Sequence, residues 1–132
     1  MTTDAFHGLT FLVVDDDEDT RDGFAALLEY QGAAVLVAAD GDEALACLRV
    51  VRPDIVITDI NMPGRDGIEL LRAIRDTATM EQLPVIAATG VADLADTMWS
   101  AGFDDVLLKP VKAEALKRAV VRLFSERVSA TG

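Results

Sequence analysis

"DIVITDINMPGRDG", residues 54–67, decides the fold. Asp54 to Thr58 read as a strand, because Ile55, Val56 and Ile57 form the unbroken β-branched run of a strand buried on both faces. Asp59 follows at once. Met62-Pro63-Gly64 and Asp66-Gly67 then force a tight turn, proline by setting one φ angle and glycine by permitting positive ones. The turn holds the Asp59 carboxylate at the end of a buried strand and leaves its outer face open. Ile68 to Arg75 resume as a helix, with Asp66 as its cap or turn residue.

The same rhythm runs outward in both directions. "TFLVV" (10–14) precedes a helix from Glu18 to Tyr30, and "AVLVA" (34–38) precedes one from Asp42 to Val51. "PVIAA" (84–88) leads to a helix near Ala92 to Ala101, and "DVLL" (105–108) to a last helix from Ala113 to about Arg127. Five strand-then-helix units with short connections predict an α/β fold: a parallel sheet with helices on both faces, since parallel strands need right-handed crossovers. Asp40-Gly-Asp-Glu43 has the spacing of a capping box, Pro53 is expected to stop the second helix, and Gly32 and Gly102 stand where a left-handed residue is wanted. Residues 1–8 read as an extension, 9–127 as one folded unit and 128–132 as a tail that frays.

Composition narrows the function. With 132 residues, 51% hydrophobic and only 5% aromatic, the core is built from Ala, Val, Leu and Ile. The formal charge of −11 has the wrong sign for nucleic-acid phosphates or anionic membranes, so neither is an expected direct partner. Cys47, the one cysteine, reads as a small core residue in a reducing cytosol. No leader pattern and no run of ~20 apolar residues is present, so a cytoplasmic protein is expected.

In such a sheet the loops leaving the carboxyl ends of the strands form one crevice. Strand one ends in Asp15 and Asp16, strand three in Asp59, strand four in Thr89-Gly90 and strand five in Lys109-Pro110. Asp17, Glu18 and Asp19 favour the amino end of the first helix. Asp15, Asp16 and Asp59 are different, because carboxylates ~5 Å apart repel by on the order of a few kcal/mol at an effective dielectric near 20. Lys109 offsets one charge, and a few hard oxygen ligands with room for water and phosphate suit Mg²⁺. Asp59 is then placed to act as a carboxylate nucleophile toward a phosphoryl group, with Thr89, Lys109 and the cation sharing the developing charge.

"LVVDDD", "DIVITDINMPGRDGIELL", "PVIAATG" and "AGFDDVLLKPV", in this order and spacing, resemble the receiver domains of bacterial two-component response regulators, the chemotaxis regulator being their smallest example. The resemblance covers about residues 9 to 124 and implies a single doubly wound flavodoxin-like domain with strand order 2-1-3-4-5. It implies Asp59 as phosphoacceptor, and Mg²⁺ held by Asp16, Asp59 and the main-chain carbonyl of Asn61, with Asp15 acting partly through water. Thr89 and Lys109 are implied to contact the phosphoryl group, and the Lys109-Pro110 peptide to be cis. Val106 stands where the family usually has Tyr or Phe, which rules out the usual coupled threonine–aromatic switch. Gly90 replaces a commoner Ala or Ser, and the stretch from Thr89 to Lys109 is about two residues shorter than typical.

The resemblance further implies a histidine kinase or histidine phosphotransfer protein as donor, and a downstream target or output domain at the face of helix four, strand five and helix five. Such a chain is a phosphoacceptor signalling domain rather than an enzyme, either free-standing or a segment of a longer protein. Homodimerisation through helices four and five is compatible with it. His7 is expected to be an ordinary terminal residue, so the donor histidine comes from the partner. Lys112, Lys117, Arg118 and Arg122 contact a partner or are simply solvated, the side chains of Asn61 and Val91 set the lifetime of the phosphorylated state, and Trp99 is expected in the core.

Three other classes fit less well. A haloacid-dehalogenase-type phosphatase needs Thr or Val where Asp19 stands, and Asp104-Asp105 precede Lys109 instead of following it. A calcium loop over Asp15, Asp17 and Asp19 would have Thr20 in place of Gly and Ala26 in place of Glu. A phosphorylation-independent module of the same fold has no need of Asp15, Asp16, Asp59, Thr89 and Lys109 together.

Overall fold

A computed structural model describes residues 5–62, 64–91 and 94–131, with side chains through residue 124. The order is β1 (Thr10–Val14), α1 (Glu18–Tyr30), β2 (Ala34–Ala38), α2 (Gly41–Leu48), β3 (Ile55–Asp59), α3 (Gly67–Arg75), β4 (Val85–Thr89), α4 (Ala95–Ala101), β5 (Asp105–Leu108) and α5 (Ala113–Thr131). All five strands are parallel in the order β2-β1-β3-β4-β5. This is the flavodoxin-like order, with its switch point between β1 and β3.

The pleat divides each strand between two cores. Leu12, Val14, Val56, Val85 and Ala87 face α2, α3 and α4, where they pack with Ala44, Leu48, Leu70, Leu71, Ile74 and Met98. Phe11, Val13, Ile55, Ile57, Ile86, Ala88 and Leu107 face α1 and α5 and meet Phe24, Leu28, Leu116, Ala119, Val120 and Leu123. Burying each such Leu or Ile contributes roughly 1.5–3 kcal/mol, so strand register is strongly held: a one-residue slip would swap both cores.

Several boundaries differ from expectation. β3 and β4 each sit one residue later than the runs 54–58 and 84–88, and Asp59 and Thr89 are the last residues of their strands, as placed at the crevice from sequence. α2 stops at Leu48, well before Pro53, which therefore does not end it. The Asp40–Glu43 pair makes one arm of its box: Asp40 accepts from the Glu43 N–H, while the Glu43 carboxylate reaches the N–H of Ala39 at 3.4 Å. The reciprocal box forms instead between Asp66 and Glu69. α4 begins at Ala95; Ala92 and Asp93, where its start was expected, lie outside the described residues. α5 continues past Arg127 to Thr131. Gly32 and Gly102 take the expected positive φ, at 95° and 107°.

Phe6, in the stretch read as an extension, is buried against Phe11 with ring centroids 5.3 Å apart, and its N–H donates to Gln31 at 2.7 Å. Cys47 is half-buried and packs against the core on the α2 side. Trp99 corrects the expectation of a core residue: it is 47% exposed on α4, with the Arg122 guanidinium 5.8 Å from its ring centroid. Met98 occupies the buried face of that seven-residue helix, which leaves the adjacent position outside. Among the described residues no helix is long and apolar enough to cross a membrane.

Candidate functional site

The crevice is assembled from strand ends. Asp15, directly after β1, is only 2% exposed, and every polar group it carries is engaged. Its N–H donates to Ala38 at 3.1 Å, and its carbonyl accepts from Arg21 Nη1 at 2.9 Å. Oδ1 accepts from the Asp17 N–H at 2.9 Å and Oδ2 from Lys109 Nζ at 2.8 Å. Asp16, the next residue, is exposed. Asp17 caps α1, and the hydrogen bond from the Thr20 hydroxyl, followed by that from the Thr20 N–H at 3.1 Å, holds its carboxyl below the usual carboxylate range. The Asp17 carboxylate is engaged in this cap and is not among the clustered acids, and Asp19 lies exposed within α1.

Asp59 is fixed by its own turn. Its Oδ1 accepts from the Ile60 N–H at 2.8 Å and lies 3.4 Å from Lys109 Nζ. Its carbonyl accepts from the buried Thr58 hydroxyl at 2.8 Å. Gly67 opens α3 against this carbonyl so closely that a Cβ there would stand 2.4 Å from the Asp59 oxygen, and the Gly67 N–H donates to Ile60 at 3.0 Å. Gly64 supplies a positive φ of 74° to the same turn, and Asn61 on it is exposed. Pro63 lies outside the described residues.

The opposite wall comes from β4 and β5. Thr89 is 2% exposed, and its Oγ1 accepts from the Val91 N–H at 3.1 Å. Its carbonyl accepts from the Lys109 N–H at 2.8 Å, which ties the two strand ends together. Gly90 is exposed, and a Cβ there would meet nothing within 4 Å. The Lys109-Pro110 peptide is cis. Val106 is half-buried and packs against the core under α2, α3 and α4.

One oxygen from each of Asp15, Asp16 and Asp59 falls within 4.8 Å of the others. At that separation each ionised pair repels by about 3 kcal/mol at an effective dielectric near 20. Burial raises the Asp59 carboxyl above its ordinary range and the Asp15 charge adds to the effect, while Lys109 opposes both. Burial alone would lower the Lys109 ammonium, but its hydrogen bond to Asp15 and the charges of Asp59 and Asp15 outweigh that, and it is raised. With all three acids ionised, three negative charges face the one ammonium that contacts them, and acid remains in excess even with the Arg21 guanidinium on the Asp15 carbonyl nearby. A tight set of hard oxygen donors with that residual charge fits a small divalent cation such as Mg²⁺.

The structure therefore gathers Asp15, Asp16, Asp59 and Lys109, with Thr89 on the adjoining strand end. Arg21 was missed from sequence, where its only signal is being the lone cation of an acidic helix start. Thr58 was read only as a strand residue.

Comparison with known proteins identifies the family. Residues 11–121 match the family model of the response regulator receiver domain. The chain is 42% identical over 114 residues to a 14.6 kDa protein of Leptolyngbya boryana, covering 85% of this chain and 87% of that one. It is 38% identical over 118 residues to the transcriptional regulatory protein AfsQ1 of Streptomyces coelicolor, covering 86% of this chain and 51% of AfsQ1. It thus spans about half the length of that regulator. Among solved structures, the chemotaxis response regulator CheY4 of Vibrio cholerae superposes with a TM-score of 0.79 at 31% identity, covering 87% of this chain and 98% of CheY4. The signal receiver domain of a signal transduction histidine kinase from Syntrophus aciditrophicus gives 0.80 at 32% identity, covering 90% and 92%. Its motifs, strand order and family match agree, and the chain belongs to the response regulator receiver domain family of two-component signalling.

Proposed function

We propose that this receiver accepts a phosphoryl group on Asp59 from a histidine kinase or a histidine phosphotransfer protein and thereby switches a partner-binding surface. The observation that carries this is the placement of Lys109 Nζ between Asp15 and Asp59, 2.8 Å from one carboxylate and 3.4 Å from the other. A lysine so held neutralises charge at the mouth while leaving the second Asp59 oxygen free to react.

Mg²⁺, held by Asp16, Asp59 and the Asn61 carbonyl with Asp15 behind them, would supply the remaining charge neutralisation. Ionised Asp59 attacks phosphorus, the bond from phosphorus to the donor imidazole nitrogen breaks, and the freed imidazole keeps that electron pair. Asp59 becomes an acyl phosphate. Lys109, already beside Asp59, would pair with the transferred oxygens, and the Thr89 hydroxyl, now accepting from Val91, is within one strand position of Ala88, the register partner of Asp59. Binding of the phosphoryl group by Thr89 would pull on β4 and so on the α4–β5–α5 face. Val106 is too small for the aromatic swing, so on this chain the face responds through α4 itself.

The test uses a small acyl phosphate as donor, which needs no partner histidine. With Mg²⁺, intact mass of the wild type should rise by one phosphoryl group and that of Asp59→Ala should not. Equal labelling of both proteins, or of neither, removes Asp59 as the acceptor.

A further inference from the structure

Arg21 has no place in the chemistry above, yet its side chain turns back against the direction of α1 to reach the site. Its N–H makes the ordinary first-turn bond to the Asp17 carbonyl at 2.9 Å, and its Nη1 donates to the carbonyl of Asp15, also at 2.9 Å. That carbonyl belongs to the Asp15–Asp16 peptide. Asp15 is otherwise locked through its N–H, Oδ1 and Oδ2, whereas Asp16 is exposed, and the backbone on either side of it sets the direction of its Cα–Cβ bond and so the space its carboxylate can reach.

We propose that Arg21 is a positioning residue: by holding the Asp15–Asp16 peptide plane it aims the Asp16 carboxylate into the cluster with Asp15 and Asp59, a role that rests on the cation reading of that cluster. The argument has a built-in sign. As a bare charge, the guanidinium repels an incoming cation, so deleting it should strengthen Mg²⁺ binding. As a clamp on the peptide, deleting it should weaken binding, since groups that orient metal ligands typically govern 10–100-fold in affinity. The two roles predict opposite outcomes for one substitution.

Arg21→Met keeps the aliphatic stem and helix propensity but loses every donor; Arg21→Lys restores one donor and the charge. Calorimetric titration of the full chain with MgCl₂, alongside thermal melts without the metal, reads both. Affinity about tenfold weaker in Arg21→Met, recovered in Arg21→Lys, with melting little changed, supports the clamp. Mg²⁺ binding by Arg21→Met that equals or exceeds that of the wild type overturns it, as does a loss that Arg21→Lys fails to recover, because restoring a donor at that position would then not restore the site. Should Arg21→Met melt early, affinity measured at a temperature where it is folded decides by the same criteria. No Mg²⁺ binding by the wild type overturns the cation site and the clamp together.

Discussion

Lys109 Nζ lies 2.8 Å from Asp15 Oδ2, joining two residues 94 positions apart across the mouth of the sheet. The Asp15 side chain is 3% exposed and that of Lys109 23%. Removing the cation would leave a buried carboxylate unpaired beside Asp59. Fully buried pairs broken on one side lose ~3–5 kcal/mol, and the partial exposure of Lys109 reduces this to about 2 kcal/mol. Urea denaturation of Lys109→Met should show that loss, and adding Asp15→Asn should recover part of it. A variant as stable as wild type would mean that water, not Lys109, satisfies Asp15.

Metal-free stability should depend on the protonation of Asp59. Its folded-state pKa is raised above the unfolded value, so the folded state favours the protonated form, and stability is lost as pH rises through the folded pKa. Asp59→Asn should therefore have a higher urea midpoint than wild type at pH 7 in EDTA, with the difference vanishing near pH 3. The raised Lys109 acts on the alkaline side: its contribution is present below its unfolded pKa near 10.5 and fades as pH climbs through the higher folded value. A midpoint difference that is constant from pH 3 to 7 would contradict the assignment to Asp59.

Mg²⁺ should stabilise the fold by mass action. At a free concentration 100-fold above Kd the gain is about 2.7 kcal/mol. It should disappear in Asp16→Ala, whose carboxylate has no structural partner to lose among the described interactions. An equal gain in that variant would place the ion elsewhere.

Two glycines separate steric need from chance. Gly67→Ala puts a methyl 2.4 Å from the Asp59 carbonyl oxygen and 3.0 Å from the Ile60 Cα, both backbone atoms that cannot swing aside. A loss of about 2–3 kcal/mol and slower acyl-phosphate labelling are expected. Gly90→Ala meets open space and should fold as wild type does. Comparable losses in both would show that loop flexibility rather than crowding is at work.

Trp99 offers a check on the α4 surface. Its contact with Arg122 is worth ~0.5–1 kcal/mol at an exposed site, so Trp99→Ala should cost less than about 1 kcal/mol. Leu70→Ala, fully buried, should cost ~2–5 kcal/mol. As the only tryptophan, Trp99 should also be quenched readily by iodide. Protection from the quencher would show that a second molecule covers this face.

Sequence by itself determined the alternation of strands and helices and the acids, threonine and lysine at the strand ends. Those follow from local rules: β-branched apolar runs favour buried strands, and Pro, Gly and Asp punctuate them by φ preference and capping. It also exposed the demand for a counter-charge, because carboxylates brought to one mouth repel wherever they lie in the chain. Tertiary structure alone decided how that demand is met. Which oxygen of Asp15 faces Lys109, the reach of Arg21 back to the Asp15 carbonyl, the crowding of Gly67 on Asp59 and the outward turn of Trp99 all depend on how distant elements pack. Such contacts leave no periodic trace, since they are set by the separation of packed layers and not by the spacing of residues along one helix or strand.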